Sequence, residues 1–108
     1  MYYIEFIEKK EEVPSKVFQE VLKRHCSRWT PDKRSEEEGQ IILSIGRTWR
    51  LGPRPAYMII WRITDLGAFE RWVHASATPE QLEDDRRFME VARIVDGGVY
   101  ENIGDEIV

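Results

Sequence analysis

Between Gly39 and Ile63 the chain reads GQIILSIGRTWRLGPRPAYMIIWRI, two apolar, alternating runs joined by a Gly-Pro-Arg-Pro corner. In the first run Ile41, Leu43, Ile45, Arg47 and Trp49 share one phase. Gln40, Ile42, Ser44, Gly46, Thr48 and Arg50 share the other. In the second, Tyr57, Ile59, Trp61 and Ile63 alternate with Ala56, Met58, Ile60 and Arg62. Period-two patterning rich in β-branched and aromatic residues predicts strands rather than helices. Pro53 and Pro55 cannot donate ladder hydrogen bonds, so the corner is loop, and Gly52 lets the chain reverse there. The result is a long antiparallel hairpin. Both faces of its second strand are mainly apolar, which fits a strand covered on both sides. Helices of the same chain can cover one face. A chain of 108 residues has little left for the other, so a second copy of the chain is the natural cover.

The rest of the chain supplies the near-side cover. Tyr2 to Ile7 alternates, with Tyr2, Ile4 and Phe6 against Tyr3, Glu5 and Ile7, and predicts a first strand. Pro14 suits the first turn of a helix whose stripe runs Phe18, Val21, Leu22, His25 and Trp29. Asp32 to Glu38 reads as a polar loop into the hairpin. After Ile63, Thr64 and Asp65 are N-cap candidates for a helix with Leu66, Phe69, Trp72 and Val73 on one stripe. Thr78-Pro79-Glu80-Gln81 is a capping-box pattern opening a further helix, with Leu82, Phe88, Met89 and Ala92 apolar. Its Asp84, Asp85, Arg86 and Arg87 read as a solvated side. Val99, Glu101 and Ile103 alternate in a last strand. Ile94 and Val95 read either as its first residues, with a bulge at Gly97-Gly98, or as the end of the preceding helix, and the bulged strand is the reading favoured.

The order is therefore strand, helix, strand, strand, helix, strand. It is the ferredoxin-like βαββαβ arrangement, an α+β fold with helices on one face of a four-stranded antiparallel sheet in a single domain over residues 1–108. Hydrophobic residues at 42% and charged residues at 33% fit a globular chain, not a disordered one. A net charge of −4 gives no bulk pull toward nucleic acid or anionic lipid. No apolar stretch is long enough to span a membrane, and the N-terminus lacks a signal-like apolar run. Cys26 is the single cysteine, which excludes an intrachain disulfide and a cysteine zinc cluster. A reduced, cytoplasmic setting follows as the simplest expectation.

With its βαββαβ order, its apolar central hairpin and the segment from Tyr57 to Trp72, YMIIWRITDLGAFERW, the chain resembles the dimeric α+β barrel superfamily. The resemblance covers nearly the whole chain, although its motifs are loose. It implies a homodimer in which two sheets pack face to face, with a pocket in each subunit between sheet and helices. Its members include small monooxygenases, polyketide cyclases, lactone isomerases, haem-degrading enzymes and proteins without assigned activity, and fold alone does not choose among them.

The candidate chemistry is sparse. His25, on the apolar stripe of the first helix, is a candidate general base, set against a packed core histidine. His74, after Trp72, is a second candidate, set against an imidazole favoured by the helix dipole. Arg47 and Arg62 lie within apolar strand phases and could hold a substrate carboxylate; a dimer-interface ion pair explains them as well. Trp29, Trp49, Trp61 and Trp72, with Tyr57 and Tyr100, could enclose a flat apolar or aromatic ligand, or simply fill the core and dimer interface. Haem-degrading members of the superfamily use a first-strand Asn, a third-strand Trp and a second-helix His. Trp61 and His74 stand in matching places, but Tyr2 to Ile7 has no Asn, so haem ranks third. Two histidines and one cysteine make a poor metal set, and no metal is expected.

The first expectation is thus a homodimeric enzyme that needs no cofactor and acts on a small aromatic or apolar substrate by oxygenation, cyclisation or isomerisation. The second is a non-catalytic homodimer that binds a ligand or uses the pocket as core. A roomy pocket bordered by a histidine or arginine separates the first from a gap filled by Trp29, Phe69 and Trp72.

Overall fold

The computed structural model describes residues 1–30, 33–47, 57–75 and 77–101. Trp49, the Gly52 to Pro55 corner and the segment after Glu101 lie outside the described residues. In chain order the elements are β1 (Tyr2–Lys9), α1 (Ser15–Cys26), a 3-10 turn (Ser27–Trp29), α2 (Lys33–Glu38), β2 (Gln40–Arg47), β3 (Tyr57–Ile63), α3 (Leu66–His74), α4 (Pro79–Val91) and β4 (Ala92–Tyr100). The four strands form one antiparallel sheet in the order β2-β3-β1-β4. This is the ferredoxin-like order, with the first and third strands at the centre.

The predicted helix signals act as caps. The Asp65 carboxylate accepts from the Ala68 N–H at 3.1 Å and starts α3. At α4, Thr78 Oγ1 accepts from the Gln81 N–H at 3.2 Å while Gln81 Oε1 accepts from the Thr78 N–H at 2.9 Å, a complete capping box. Asp32 to Glu38 is not all loop, because α2 occupies Lys33–Glu38. It ends at Gly39, which takes φ +70° and would place a Cβ 2.4 Å from the Asp65 carbonyl and 2.6 Å from the Phe69 N. Only glycine fits both the left-handed turn and that approach to the start of α3. The Gly39 carbonyl accepts from the Thr64 N–H at 2.8 Å, so the beginning of β2 is tied to the end of β3.

Register decides which side chains face the helices. Tyr3 pairs with Trp61, Glu5 with Ile59 and Ile7 with Tyr57. Ile7, Tyr57, Ile59 and Trp61 are buried with Phe18, Leu22, Cys26, Trp29, Phe88 and Val91 in one core. The helices therefore cover the face bearing Tyr3, Glu5 and Ile7. Tyr2, Ile4, Phe6, Ile41, Met58 and Ile60 lie half-buried on the opposite face.

Two irregularities differ from the sequence pattern. Ile42 pairs with Trp61 and Ser44 with Ile60, so Leu43 is an extra residue and the alternation of β2 changes phase there. Ile41 and Ile45 consequently fall on opposite faces. In β4 the bulge is at Val95, not at the glycines: Ile7 pairs with Ile94 and Phe6 with Asp96. Gly97 and Gly98 stay in the ladder opposite Glu5 and Ile4. A strand paired along its length tolerates two glycines because its neighbour fixes their backbone.

The inward stripe of α4 is also not the apolar one. Leu82 and Met89 are exposed, whereas Gln81, Asp84, Phe88 and Val91 face in. Among the described residues no helix is long and apolar enough to cross a membrane.

Candidate functional site

A cavity of about 320 Å³ lies between the sheet and the helices, bordered by Tyr3 and Glu5 of β1, Gln40 of β2, Trp61 of β3, His25, Arg28 and Trp29 from α1 and its following turn, Trp72 of α3, and Asp85 and Phe88 of α4. A second hollow of about 630 Å³ shares Tyr3, Arg28, Trp72 and Asp85 with it and extends toward Phe69 and Thr78. Trp29 and Phe69 are buried, yet they and Trp72 do not close the sheet–helix gap.

His25 is 8% exposed, and its position is set by three contacts. Its ring stacks on Phe88 with centroids 4.2 Å apart and meets Trp29 edge-on at 5.0 Å. Its Nδ1 lies 2.8 Å from Asp84 Oδ2. Burial pushes the His25 pKa below the ordinary value, and Asp84 opposes that without reversing it. The neutral ring therefore donates Nδ1–H to Asp84, and Nε2 carries the free lone pair.

Asp84 is not the solvated residue the charge run suggests. It also accepts from Arg28 Nη1 at 2.9 Å, and the same guanidinium reaches Asp85 Oδ1 at 3.4 Å and Glu38 Oε1 at 3.8 Å. Arg28 lies over the Trp29 ring, 4.4 Å from its centroid. One cation thus gathers carboxylates from α2 and α4. Ligand atoms of His25, Asp84 and Asp85 lie within 4.8 Å of one another, but Arg28 already supplies the positive charge there, so a metal ion is a poor fit.

Glu5 is the second titratable group at the cavity. Burial raises its pKa, and the carboxylate of Asp85 adds to that, while a hydrogen bond with Tyr3 works against it. Tyr3 in turn has its pKa raised, first by burial and then by Glu5. Tyr3 packs on Trp61 at 5.1 Å and on Phe69 at 5.8 Å, which places its hydroxyl beside Glu5. Cys26 is no nucleophile, because burial pushes its thiol up to about 12.

Of the residues singled out in the sequence, His25, Trp29, Trp61 and Trp72 border this cavity. Tyr57 is core, packed on Phe18 at 4.7 Å, and with Arg47 it borders a separate hollow of about 220 Å³ at the far end of β2. Arg62 is exposed on the opposite sheet face, and His74 is exposed at the end of α3. Glu5, Arg28, Gln40 and Asp84 were missed. For Asp84 a signal existed: it sits one helical turn before Phe88, so it shares the buried face.

No protein-family model matches the chain, and no curated protein sequence matches it. Solved structures do. SnoaB, a cofactor-independent oxygenase from Streptomyces nogalater, superposes with a TM-score of 0.59 at 14% identity over 95% of each chain. A dimeric protein of unknown function and ferredoxin-like fold from Bacteroides fragilis superposes with a TM-score of 0.55 at 11% identity, covering 92% of this chain and 94% of that one. At such identities the likeness establishes the fold, and activity must be argued from the site.

Proposed function

We propose that the chain is a small-molecule enzyme that works without a resident cofactor, and that its first chemical step is removal of a proton from an aromatic or apolar substrate held in the sheet–helix cavity. The observation that carries this is the His25–Asp84 pair at the wall of an aromatic-lined cavity. A neutral imidazole in a partly buried site is a base suited to neutral pH, and the carboxylate on Nδ1 holds its tautomer and stabilises the imidazolium it becomes. Glu5, with its carboxyl favoured in the protonated form by burial, is placed to hold or return a proton on the sheet side. Trp61, Trp72 and Trp29 enclose the ring system and keep water away.

Oxygenation is the reaction favoured, in keeping with the oxygenase that shares the fold. His25 takes a proton from an acidic CH₂ flanking a carbonyl or ring. The resulting carbanion transfers its electrons to dioxygen, and a C–O bond forms. Loss of the second C–H proton then breaks the O–O bond, leaving one oxygen as a carbonyl and the other in water. Carbon is oxidised, dioxygen is the oxidant, and no other redox partner is required. The active form is a homodimer closed through the half-buried face bearing Ile4, Phe6, Met58 and Ile60, a reading supported by a structural neighbour that is dimeric. A reducing compartment such as the cytoplasm suits its free, buried Cys26.

The test is dioxygen uptake with 2-tetralone and related neutral aryl ketones, with no cofactor added. Uptake of one dioxygen per ketone oxidised, lost in His25→Ala, is the expected result. Binding without turnover would leave a ligand-binding protein instead. A haem titration is expected to leave the Soret band of free haem unshifted.

A further inference from the structure

We propose that the cavity selects neutral ring systems bearing carbonyl or ether oxygens and rejects carboxylates, with Gln40 and the indole N–H groups of Trp29 and Trp61 reading the oxygens. This deepens the reading of the cavity as a substrate site and rests on it.

Trp29 Nε1, Trp61 Nε1, Arg28 Nε and both polar atoms of the Gln40 amide are buried without a hydrogen bond among the described residues. All four side chains border the same cavity. Buried polar groups are nearly always satisfied, so a cluster of orphans around one space indicates that something else satisfies them. The unmet groups are mostly donors: two indole N–H groups, the Arg28 Nε–H and the Gln40 NH₂, against the single Gln40 oxygen. An occupant that meets them carries acceptor oxygens at more than one edge.

A carboxylate also carries acceptors, and here charge decides. The Arg28 guanidinium is already shared among Asp84 at 2.9 Å, Asp85 at 3.4 Å and Glu38 at 3.8 Å. An anionic ligand would meet carboxylates that already share the Arg28 guanidinium, the one cation at this wall among the described residues. A neutral ketone or ether meets the same donors without that penalty. The volume of about 320 Å³ suits a ligand of roughly two fused rings.

Gln40 is fixed for this task by the fold. It follows Gly39, whose carbonyl is tied to Thr64 and whose left-handed turn lies against the start of α3. It is 1% exposed and pairs with Ile63 in the ladder, so its amide cannot swing out to water. An amide in that place reads an oxygen on a ligand with little entropy to lose.

The test uses the full chain and three bicyclic probes: 2-tetralone, tetralin and 2-naphthoate. Binding is read by ¹H–¹⁵N spectra of the tryptophan indoles, assigned with Trp29→Phe and Trp61→Phe. 2-Tetralone is expected to bind about 10-fold tighter than tetralin, the worth of one net hydrogen bond, and to move the Trp29 or Trp61 indole proton downfield. 2-Naphthoate is expected to bind weakest. Gln40→Met should lose that ~10-fold preference for 2-tetralone over tetralin. If this variant does not fold, the probe ranking and the wild-type indole shifts decide. 2-Naphthoate binding tightest, or 2-tetralone binding no better than tetralin with both indoles unmoved, overturns the proposal. Because no turnover is involved, a protein that binds 2-tetralone this way but never oxidises it refutes the proposed reaction and leaves the recognition standing.

Discussion

Replacing Asp84 with alanine tests the structural basis of the site. Asp84 accepts from His25 Nδ1 at 2.8 Å and from Arg28 Nη1 at 2.9 Å, with its own side chain 28% exposed. Hydrogen bonds to charged groups contribute about 1.5–3 kcal/mol each, and partial exposure puts these at the low end. Losing both should cost about 3 kcal/mol, softened where Asp85 and Glu38 keep hold of Arg28. For a domain near this size, 1 kcal/mol corresponds to about 4–8 °C in Tm, so a fall of roughly 10–20 °C is expected. The His25 pKa should drop further, because burial then acts without the opposing carboxylate. A histidine whose folded pKa lies below its unfolded value of ~6.5 contributes stability that is complete above that pH and is lost as the pH falls toward the folded value. In Asp84→Ala the lower folded pKa widens this window, so acid sensitivity below pH ~6.5 should grow. Thermal melts by circular dichroism from pH 5 to 8, with ¹⁵N titration of the His25 ring, measure both. A Tm loss under about 4 °C, or a His25 pKa that rises, would refute a positioned dyad.

Further expectations concern other parts of the same structure. Glu5→Gln should be more stable than the native chain by a margin that grows as pH rises from ~4.3. A carboxyl with a raised folded pKa contributes stability below its unfolded pKa and loses it as pH passes the folded value; melts across pH 4–8 measure this. Gly39→Ala should cost at least ~2 kcal/mol in urea unfolding, from the left-handed φ and the collision with the Asp65 carbonyl, whereas Gly98→Ala should cost under ~1 kcal/mol. Phe18→Ala, at a site with no exposure, should cost about 3–5 kcal/mol by the same assay. Ile60→Lys, on the face away from the helices, should shift the solution mass from dimer to monomer by light scattering, while Leu82→Lys, exposed on α4, should leave it unchanged.

The architecture was legible because the hairpin runs, the capping box at Thr78 and the N-cap at Asp65 are local signals that act within a few residues. The bulges were not. Leu43 and Val95 are ordinary strand residues, and only pairing with β3 and β1 shows that each is the extra one. The pattern instead pointed to Gly97-Gly98, where a bulge is cheap but the ladder continues.

The candidate site was half legible for a related reason. His25 stood out on an apolar stripe, but its partner is 59 residues away on α4. Asp84 hid within a run of charges whose other members, such as Arg86 and Glu83, do pair with one another on the surface. Arg28 and Glu38 likewise look like surface charges until α1 and α2 are folded against α4. Glu5 and Gln40 are polar residues on the buried phase of their strands, and the more apolar phase of β1 turned out to be the one facing away from the helices.

Removal of a proton by His25 from a ligand in the sheet–helix cavity would show itself as exchange at carbon. Deuterium wash-in at the acidic CH₂ of 2-tetralone in D₂O, followed by ¹H NMR, tests it without depending on any later reaction with dioxygen. Exchange is expected to run faster than in buffer, to slow as pH falls through the His25 pKa, and to drop to the buffer rate in His25→Ala. Exchange no faster with the native chain than with His25→Ala would contradict it.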